Sequence, residues 1–404
     1  MINWKQNTSL FLGGQALSLF GSMLVQYAIF WYITLSTQSG GMMTIYVVMA
    51  LLPTFFVSPF GGVWADRFNR RNLINLSDGG IAAVTLLIAV AFFAGYKELW
   101  LIFLCAAIRS VGQGIQTPAV SAFIPQITPQ EHLIKINGIN TSIQSFISLA
   151  APIVSGAMFA LFPLEYIFFI DIITAIIGIS ILQFLVKIPA VETDNYAPQQ
   201  STKTYFHDLR EGLQYVWRTK WIFLIIFLAV ILYAAVSPVA FLTPLQVARK
   251  FGEEIWRLTA LEIAFSGGMV LGGLIIGFWG GFKNKIYTIA LACVLNGVII
   301  VTLGILSNFW LYLSAMLVGG LAVPLSSTTS ATLLQTKVAP EYIGRVFGVY
   351  GMTYSLTMPL AMLVFGPLAD VVAIDWLLIG SGFAVLLLCV PYLASRSLRE
   401  VGRS

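Results

Sequence analysis

Residues Gly61–Arg71 read GGVWADRFNRR, and residues Gly277–Lys285 read GFWGGFKNK. A glycine, a tryptophan, an asparagine and a final basic residue recur in the two stretches at a constant offset of 215 residues, counted from position 62 to position 277. This offset is close to half of the 404-residue chain. The pattern indicates that a unit of half the chain has been duplicated.

The composition places most of the chain in lipid. Charged residues make up 10% of the sequence, where a soluble globular chain carries roughly a quarter. Hydrophobic residues reach 58%, and the mean hydropathy is +0.88. We therefore expect an all-α integral membrane protein whose main partner is the lipid bilayer. A soluble enzyme, a nucleic-acid-binding protein and a disordered regulator are excluded.

Twelve segments are long and apolar enough to cross a bilayer, which takes about 20 residues of helix. They run roughly Leu10 to Leu35, Met42 to Ala65, Leu73 to Gly95, Leu99 to Phe123, Ile136 to Phe162, Tyr166 to Ile188, Trp221 to Val247, Leu258 to Gly281, Ile286 to Leu306, Trp310 to Leu334, Val346 to Val371 and Trp376 to Ala394. The one sizeable hydrophilic stretch divides them into six and six. We therefore predict an N-terminal six-helix bundle over residues 1–188, a linker over residues 189–220 and a C-terminal six-helix bundle over residues 221–404.

A second repeat relates the two halves. Glu131–Gly138 follows the fourth span and Glu341–Gly348 follows the tenth, at an offset of 210 residues between positions 131 and 341. Both offsets join span n to span n+6, which has the same orientation. The sequence therefore predicts two pseudo-symmetric halves related by an axis normal to the membrane.

Basic residues set the predicted orientation. With the N-terminus inside, the inner segments hold 17 of the 22 Lys and Arg residues and the outer loops hold four. By the positive-inside rule both termini and the linker are cytoplasmic. Within the linker, Tyr205–Trp217 predicts a short amphipathic helix that tethers the halves at the membrane surface.

The stretch Gly61–Arg71 resembles the signature of the major facilitator superfamily between spans two and three. The resemblance implies a gate at the cytoplasmic rim in which the glycine allows close helix approach and the charges contact a facing helix end. The residues that match this gating motif are Gly62, Asp66, Arg67, Arg70 and Arg71.

The chain as a whole resembles the macrolide-efflux-like branch of bacterial drug:proton antiporters within that superfamily. Leu258–Met269, Ile108–Gly112 and Pro340–Gly348 carry this resemblance. In span five, Ala151–Gly156 keeps the proline and the final glycine of the family's antiporter motif but has Ala and Ser at glycine positions. The resemblance implies export of small hydrophobic molecules in exchange for protons, across the bacterial cytoplasmic membrane.

Four charged residues lie inside predicted spans and are the candidates for proton coupling: Glu262, Asp171, Asp78 and Arg109. Glu262 and then Asp171 are favoured, because each lies near the outer end of its span, where partial desolvation favours the neutral acid. Arginine stays protonated, so Arg109 needs a partner near the midplane. Asp78 on the neighbouring span is the nearest candidate in sequence. The alternative to a role in proton coupling is that these charges form a purely structural ion pair.

Polar residues at helical spacing and aromatic residues supply candidates for the substrate cavity. These are Gln15, Ser22, Gln26, Tyr32, Gln113, Gln144, Tyr233, Met269, Tyr350 and Tyr354. In spans one and five the polar residues form stripes along one face. Such residues also hold helices together in lipid, and aromatic residues often face the lipid instead.

We expect a proton-driven exporter that functions as a monomer, and no enzyme. The first alternative is a transporter for a defined metabolite such as a siderophore or a sugar. A polytopic membrane enzyme is a remote alternative, since both histidines lie in loops and the spans hold no cluster for a metal or a nucleophile. The sequence predicts no cofactor and no metal, and the absence of a P-loop argues against ATP-driven transport.

Reporter fusions test the predicted orientation. We expect fusions after Arg70 and after Lys203 to be cytoplasmic, and fusions after Lys97 and after Lys250 to face outward, because of the asymmetry of basic residues. Paired phosphatase and fluorescent-protein fusions at each position measure this. A reversed result at any one position contradicts the twelve-span topology.

Overall fold

The protein is described by a computed structural model over residues 4–187 and 202–403, where all regular elements are helical. Twelve helices of that part are long and apolar enough to cross a membrane, which confirms the predicted fold class. They are α1 (Trp4–Thr37), α2 (Gly40–Arg67), α3 (Arg70–Phe93), α4 (Leu99–Ile127), α5 (Leu133–Leu161), α6 (Leu164–Ser180, continued by a π-helical turn, Ile181–Leu185), α8 (Lys220–Phe251), α9 (Ile255–Trp279), α10 (Lys285–Ile305), α11 (Phe309–Lys337), α12 (Ile343–Leu368) and α13 (Ile374–Ala394). Two shorter helices are α7 (Thr202–Arg218) and α14 (Arg396–Val401).

The asparagine of the repeated loop has a structural role in both halves. Asn69 precedes α3 and its side chain accepts a hydrogen bond from the backbone N–H of Asn72, while Asn284 precedes α10 and accepts one from Ile286. Asparagine is among the best residues for this capping position, because its side chain satisfies an N–H that has no partner in the helix. The duplication has therefore kept a helix start.

The two loops differ where the preceding helix ends. In the second loop, Gly280 and Gly281 have φ values of +72° and +78° and end α9. Residues with a Cβ rarely adopt this left-handed conformation. In the first loop α2 continues through Asp66 to Arg67. Gly281, which stands at the position of Asp66, is therefore required by a turn that the first half lacks.

By their internal contacts the helices form two units. One comprises Met1–Ile33 and Met49–Tyr205, and the other comprises Thr34–Val48 and Phe206–Ser404. The first part of the predicted linker, residues 189–201, lies outside the described residues. The helix expected at Tyr205–Trp217 is present as part of α7 and packs in the second unit.

α7 is held against the start of α12 by charge and by aromatic stacking. Glu211 and Arg345 form an ion pair at 2.9 Å, and the rings of Tyr215 and Tyr342 stack with centroids 4.2 Å apart. Val216 is buried in the apolar cluster beneath them. The amphipathic helix is therefore a packed element of the second unit.

The tip of the α1–α2 hairpin, Thr34–Val48, is bound to the end of α12. Asp370 accepts hydrogen bonds from the backbone N–H groups of Gly40 and Gly41, at 2.7 and 2.9 Å, and from the Ser39 hydroxyl at 2.8 Å. Arg249 forms an ion pair with the same carboxylate at 3.3 Å. Asp370 thus supplies a negative charge at the N-terminus of α2, where the helix dipole favours one.

These contacts shift the acidity of Asp370. Burial alone would raise the pKa of its carboxyl, but the hydrogen bonds from Gly41, Ser39 and Gly40 and the charge of Arg249 outweigh burial and lower that pKa. A carboxyl whose pKa is lowered in the folded state contributes stability above its ordinary titration range. The contribution is lost only as the pH falls through the lowered pKa, so the carboxylate keeps its charge at neutral pH.

In the second unit, α9 and α11 cross at glycine positions. A Cβ on Gly268 would lie 2.9 Å from the carbonyl carbon of Leu317 and 3.0 Å from Cα of Gly320. Nothing lies within 4 Å of a Cβ placed on the neighbouring Gly267. Small residues at such crossings let helix backbones approach closely in lipid.

Substitution of these adjacent glycines tests the crossing. We expect Gly268→Ala to cost about 1–3 kcal/mol, because the added methyl group forces the two helices apart. Gly267→Ala is the matched control and should leave stability equal or raised, since alanine is the better helix former. Thermal unfolding of the purified variants measures both, and equal melting temperatures would contradict the packing.

Candidate functional site

A buried ion pair lies at the centre of the first unit. The guanidinium of Arg109 in α4 pairs with the carboxylate of Asp171 in α6, and the two side chains are 11% and 1% exposed. The Thr85 hydroxyl accepts a hydrogen bond from Arg109 and lies 3.0 Å from an oxygen of Asp171. From α1, Ser22 donates to Asp171 at 2.8 Å, and its carbonyl accepts from Arg109 at 3.2 Å. Both charges are therefore compensated.

The expectation that Asp78 would pair with Arg109 is wrong. Asp78 lies seven residues before Thr85 on α3, on the same face but about 10 Å away along the axis. Instead it accepts a hydrogen bond from Gln116 at 2.6 Å, and Gln116 lies 3.5 Å from Gln15. The second carboxyl oxygen of Asp78 is buried without a hydrogen-bond partner in the described part of the chain.

The predicted polar stripe of span one is directed at neighbouring helices of the first unit. Ser22 contacts the ion pair, Ser18 is buried, and Gln15 lies near Gln116. These contacts match the reading in which polar residues hold helices together in lipid. Gln26 is partly buried on the same helix.

The stripe of span five has a different setting. Asn137, Thr141, Gln144 and Ser148 are all exposed on one face of α5. The hydroxyls of Thr141 and Ser148 bond to the carbonyls four residues earlier, at 3.0 and 2.9 Å. The hydroxyl donors are thus satisfied within the helix, and the amide side chains remain accessible.

Glu262 lies in a small cavity of the second unit, about 100 Å³ in volume, enclosed by α8, α9, α10 and α11. Apolar side chains dominate its lining, and Thr243 and Asn296 are its other polar members. Within residues 4–187 and 202–403 the Glu262 carboxyl has no hydrogen-bond or ion-pair partner. Its setting is the opposite of that of Asp171, whose charge is fully paired.

The cavity around Glu262 does not include the residues that follow on the same face of α9, four and seven positions later. Phe265 lines the cavity, whereas Ser266 and Met269 do not. Met269 is 38% exposed. The arrangement therefore gives Glu262 an apolar enclosure within the bundle, and does not place it in one pocket with Met269.

Three of the candidate cavity residues form an aromatic cluster. The hydroxyls of Tyr233 in α8 and Tyr350 in α12 lie 3.4 Å apart, and the rings of Tyr233 and Tyr354 meet edge to face at 5.3 Å. Tyr354 is 55% exposed. That cluster belongs to the second unit, whereas two further candidates lie in the first unit. Tyr32 packs edge-on against Phe92, and Gln113 is partly buried in α4.

The gating motif closes the end of α2. Arg70 lies 3.7 Å from Asp66 and donates to the carbonyls of Ala65 and Ala122 at 2.8 and 3.0 Å. Arg71 donates to the carbonyl of Val186. These bonds use carbonyl groups at the ends of α2, α4 and α6 and tie them to the start of α3. Arg67 is exposed.

The close helix approach occurs one residue earlier than expected. A Cβ on Gly61 would lie 3.0 Å from Cα of Ile115, whereas a Cβ on Gly62 meets nothing within 4 Å. Gly62 and Asp66 instead line a recess of about 390 Å³ between α2 and α4. The expectation for Gly62 as the packing glycine is therefore wrong within the first unit, and Gly61 has that role.

The sequence model of the Major Facilitator Superfamily matches residues 11–362. The chain belongs to this superfamily of transporters. Macrolide efflux protein A of Streptococcus pyogenes is 29% identical over 390 residues, which are 96% of this chain and 95% of that protein. The protein of the same name from Enterococcus faecalis is 29% identical over 317 residues, 78% of this chain and 97% of its own. The resemblance noted in the sequence is confirmed.

A solved structure shows the same fold. A bacterial homologue of the iron transporter ferroportin, in an inward-facing state, superimposes with a TM-score of 0.71 at 16% identity, over 96% of this chain and 98% of that one. At that identity the likeness concerns the major facilitator fold alone. The chain is thus a multi-pass membrane transporter.

Sequence reasoning missed three residues of these sites. Thr85 joins Arg109 to Asp171, and its spacing of seven residues from Asp78 was an available signal. The sequence gives no comparable signal for Asn296, which lines the Glu262 cavity, or for Asp370, which binds the hairpin tip. The role of each residue depends on contacts with a helix that is distant in sequence.

Breaking the buried ion pair should destabilise the transporter. We expect Asp171→Asn or Arg109→Ala to cost about 3–5 kcal/mol, because each leaves an uncompensated or unsatisfied buried group. The double variant Arg109→Met/Asp171→Leu should recover part of the loss. Thermal unfolding in detergent measures these effects.

The control is Arg396→Ala, which breaks a pair with Glu400 whose side chains are 88% and 59% exposed. Its melting temperature should stay close to that of the parent, as for most surface pairs. A loss in Asp171→Asn no greater than that of the control would contradict a structural role of the buried pair.

Proposed function

We propose that this transporter exports hydrophobic, drug-like small molecules in exchange for protons by alternating access. It acts in the bacterial cytoplasmic membrane with both termini cytoplasmic. The similarity to Macrolide efflux protein A, which extends over 96% of the chain, supports export and the substrate class. The excess of basic residues in the predicted inner segments supports the orientation.

The main support for proton coupling is the carboxyl of Glu262, which lies in its apolar cavity without a hydrogen-bond or ion-pair partner among the described residues. An ionised carboxylate there lacks a compensating charge, so the bound proton is stabilised. The small cavity volume leaves room for little more than water. Glu262 can therefore take up a proton from one side and release it when the conformational change hydrates the cavity.

The other intramembrane acids are less suited to this role. Asp171 is the second candidate, but its charge is balanced by Arg109, so protonation of Asp171 would leave that guanidinium without its counter-charge. Among the described residues Asp78 has no ion-pair partner either, and one of its carboxyl oxygens is buried without a hydrogen-bond partner. We assign Asp78 an accessory role, because Gln116 already holds its other oxygen.

For the substrate, the tyrosine cluster and the exposed stripe of α5 supply suitable surface. In the second unit, the rings of Tyr233, Tyr350 and Tyr354 give apolar area with hydroxyl groups. In the first unit, Gln144 presents an exposed amide on α5. Such a surface recognises molecules by shape and apolar contact. A defined metabolite such as a siderophore or a sugar, the rival substrate class, would need a denser set of fixed hydrogen-bond partners.

Glu262→Gln tests proton coupling, because glutamine keeps the size of the side chain and cannot titrate. We expect transport of ethidium or a macrolide driven by a pH gradient to fall to the background of protein-free vesicles. Substrate exchange without a gradient should persist. Reconstituted vesicles with an imposed pH gradient measure both rates.

Glu98→Gln is the matched control, since Glu98 is an exposed loop carboxyl without a side-chain bond to the helix it precedes. It should transport as the parent does. Gradient-driven transport that survives in Glu262→Gln would move the coupling role to Asp171. Survival in both single variants and in the double variant would refute the proposal.

Asp66→Asn and Arg70→Ala test the gating motif. Both should slow transport and leave substrate affinity unchanged, because the residues lie where α2 ends and α3 begins and bias the conformational equilibrium by about a few kcal/mol. Equilibrium binding and transport rates, measured on the same preparations, separate the two effects. Transport at the parent's rate, or a loss of binding, would contradict a gating role.

A further inference from the structure

A groove of about 790 Å³ runs between α1 and α5 in the first unit. None of the contacts assigned above to proton coupling or to gating involves it. Its walls are almost entirely apolar. The residues that define it are Gly13, Leu17 and Phe20 of α1 and Gly138, Ile139 and Phe146 of α5.

Two glycines leave the floor of the groove empty. A Cβ placed on Gly13 or on Gly138 meets nothing within 4 Å. These glycines therefore differ from Gly14, where a Cβ would lie 3.3 Å from the side chain of Ile181. Close helix packing does not explain Gly13 and Gly138, but space for a bound chain does.

The length of the groove matches one leaflet of a bilayer. Along α5 it extends from Lys135 to Ile147, which is about 18 Å by helical rise. The hydrocarbon of one leaflet is about 15 Å thick, half of the bilayer core. An acyl chain lying along α5 would therefore fill the groove from the membrane surface towards the midplane.

Positive charge collects at one end of the groove. Lys135 lines that end and is exposed. At the same ends of α1 and α5, Trp4 stacks on His132 with ring centroids 4.5 Å apart, and the Lys5 amine lies 5.8 Å from the Trp4 ring. The acid of this group, Glu131, lies 3.5 Å from His132. Lys135 thus offers a positive charge to an anionic head group at the end of the groove, and Lys5 lies about 12 Å beyond Gly13 along α1.

The groove and the polar stripe of α5 lie on opposite faces of the helix. At about 100° per residue, Ile139, Ser142 and Phe146 lie about 100–160° around the helix from Thr141 and Gln144, while Gly138 lies between the two faces, about 60° from Thr141. The candidate substrate surface is therefore separated from the groove by the width of α5. This separation favours a lipid over the exported molecule as the occupant.

From these observations we infer that the groove binds one acyl chain of an anionic phospholipid, with the phosphate at Lys135 and the chain lying over Gly13 and Gly138. In the proposed orientation this lipid comes from the cytoplasmic leaflet, whose surface is negatively charged. The site itself does not depend on proton coupling. Failure of the lipid test would leave the proposed export function standing.

Photolabelling tests the site. The transporter is reconstituted in phosphatidylcholine vesicles that contain a minor share of phosphatidylglycerol with a photoactivatable diazirine in one acyl chain. We expect labelled peptides to contain residues 135–147. Gly138→Leu fills the floor and should abolish that label, and Lys135→Gln should reduce it about fivefold, the loss expected for one lysine at a charged surface.

Gly80→Leu is the control for size, because Gly80 is an exposed membrane glycine with equally open space around its Cβ. Lys283→Gln is the control for charge. Both should label as the parent does. Melting temperatures identify variants that fail to fold. If Gly138→Leu does not fold, Gly138→Ala is used in its place, and we expect it to lose part of the label.

Three outcomes overturn the inference. The first is label spread evenly over the lipid-exposed helices of the parent, and the second is equal labelling in Gly138→Leu. The third is loss of the lipid label on addition of ethidium, over the same range of ethidium concentration that saturates transport. That result would make the groove part of the substrate path. Labelling by diazirine-phosphatidylcholine as strong as that by diazirine-phosphatidylglycerol would refute the role of Lys135.

Discussion

The first unit is organised around a charge that cannot be removed. The guanidinium of Arg109 keeps its proton at any physiological pH, so within the bilayer it must be surrounded by acceptors. Asp171, Thr85 and Ser22 supply them from three different helices. The relative positions of α1, α3, α4 and α6 follow from this requirement, because a shift of any one of them exposes an uncompensated group to an apolar environment.

The second unit shows what duplication leaves free to change. It retains the helix-capping asparagine of the repeated loop, Asn284, but the acid of that loop is replaced by glycine. Within residues 4–187 and 202–403 its intramembrane acid, Glu262, has no counter-charge, in contrast to Asp171. One half thus holds balanced charges that stabilise a bundle, and the other holds the acid to which we assign proton coupling. Under the proposed function, this asymmetry separates stability from proton coupling between two units of common origin.

The sequence predicted what is local and missed what depends on contact between helices. Span number, the helix in the linker and the polar faces of α1 and α5 follow from hydropathy and from helical periodicity. The identity of the Arg109 partner could not be predicted, because the sequence does not show which acid lies at the same depth in the bundle as Arg109, and that depth excludes Asp78 and selects Asp171. The same limit applies to Gly61 and Gly62, which are adjacent in sequence but point in directions about 100° apart on a helix.

The hairpin tip makes the chain pass between the two units more than once. It leaves the first unit after Ile33 and returns at Met49, while Thr34–Val48 stays with α12 through Asp370. Pro53 has no backbone N–H to donate to the carbonyl of Met49, four residues earlier. One backbone hydrogen bond of α2 is therefore missing at that boundary. The residues of α2 before Met49 are grouped with the second unit and those after it with the first. In the alternating access that we propose, the missing hydrogen bond gives α2 a point at which it can bend between these two groups of residues.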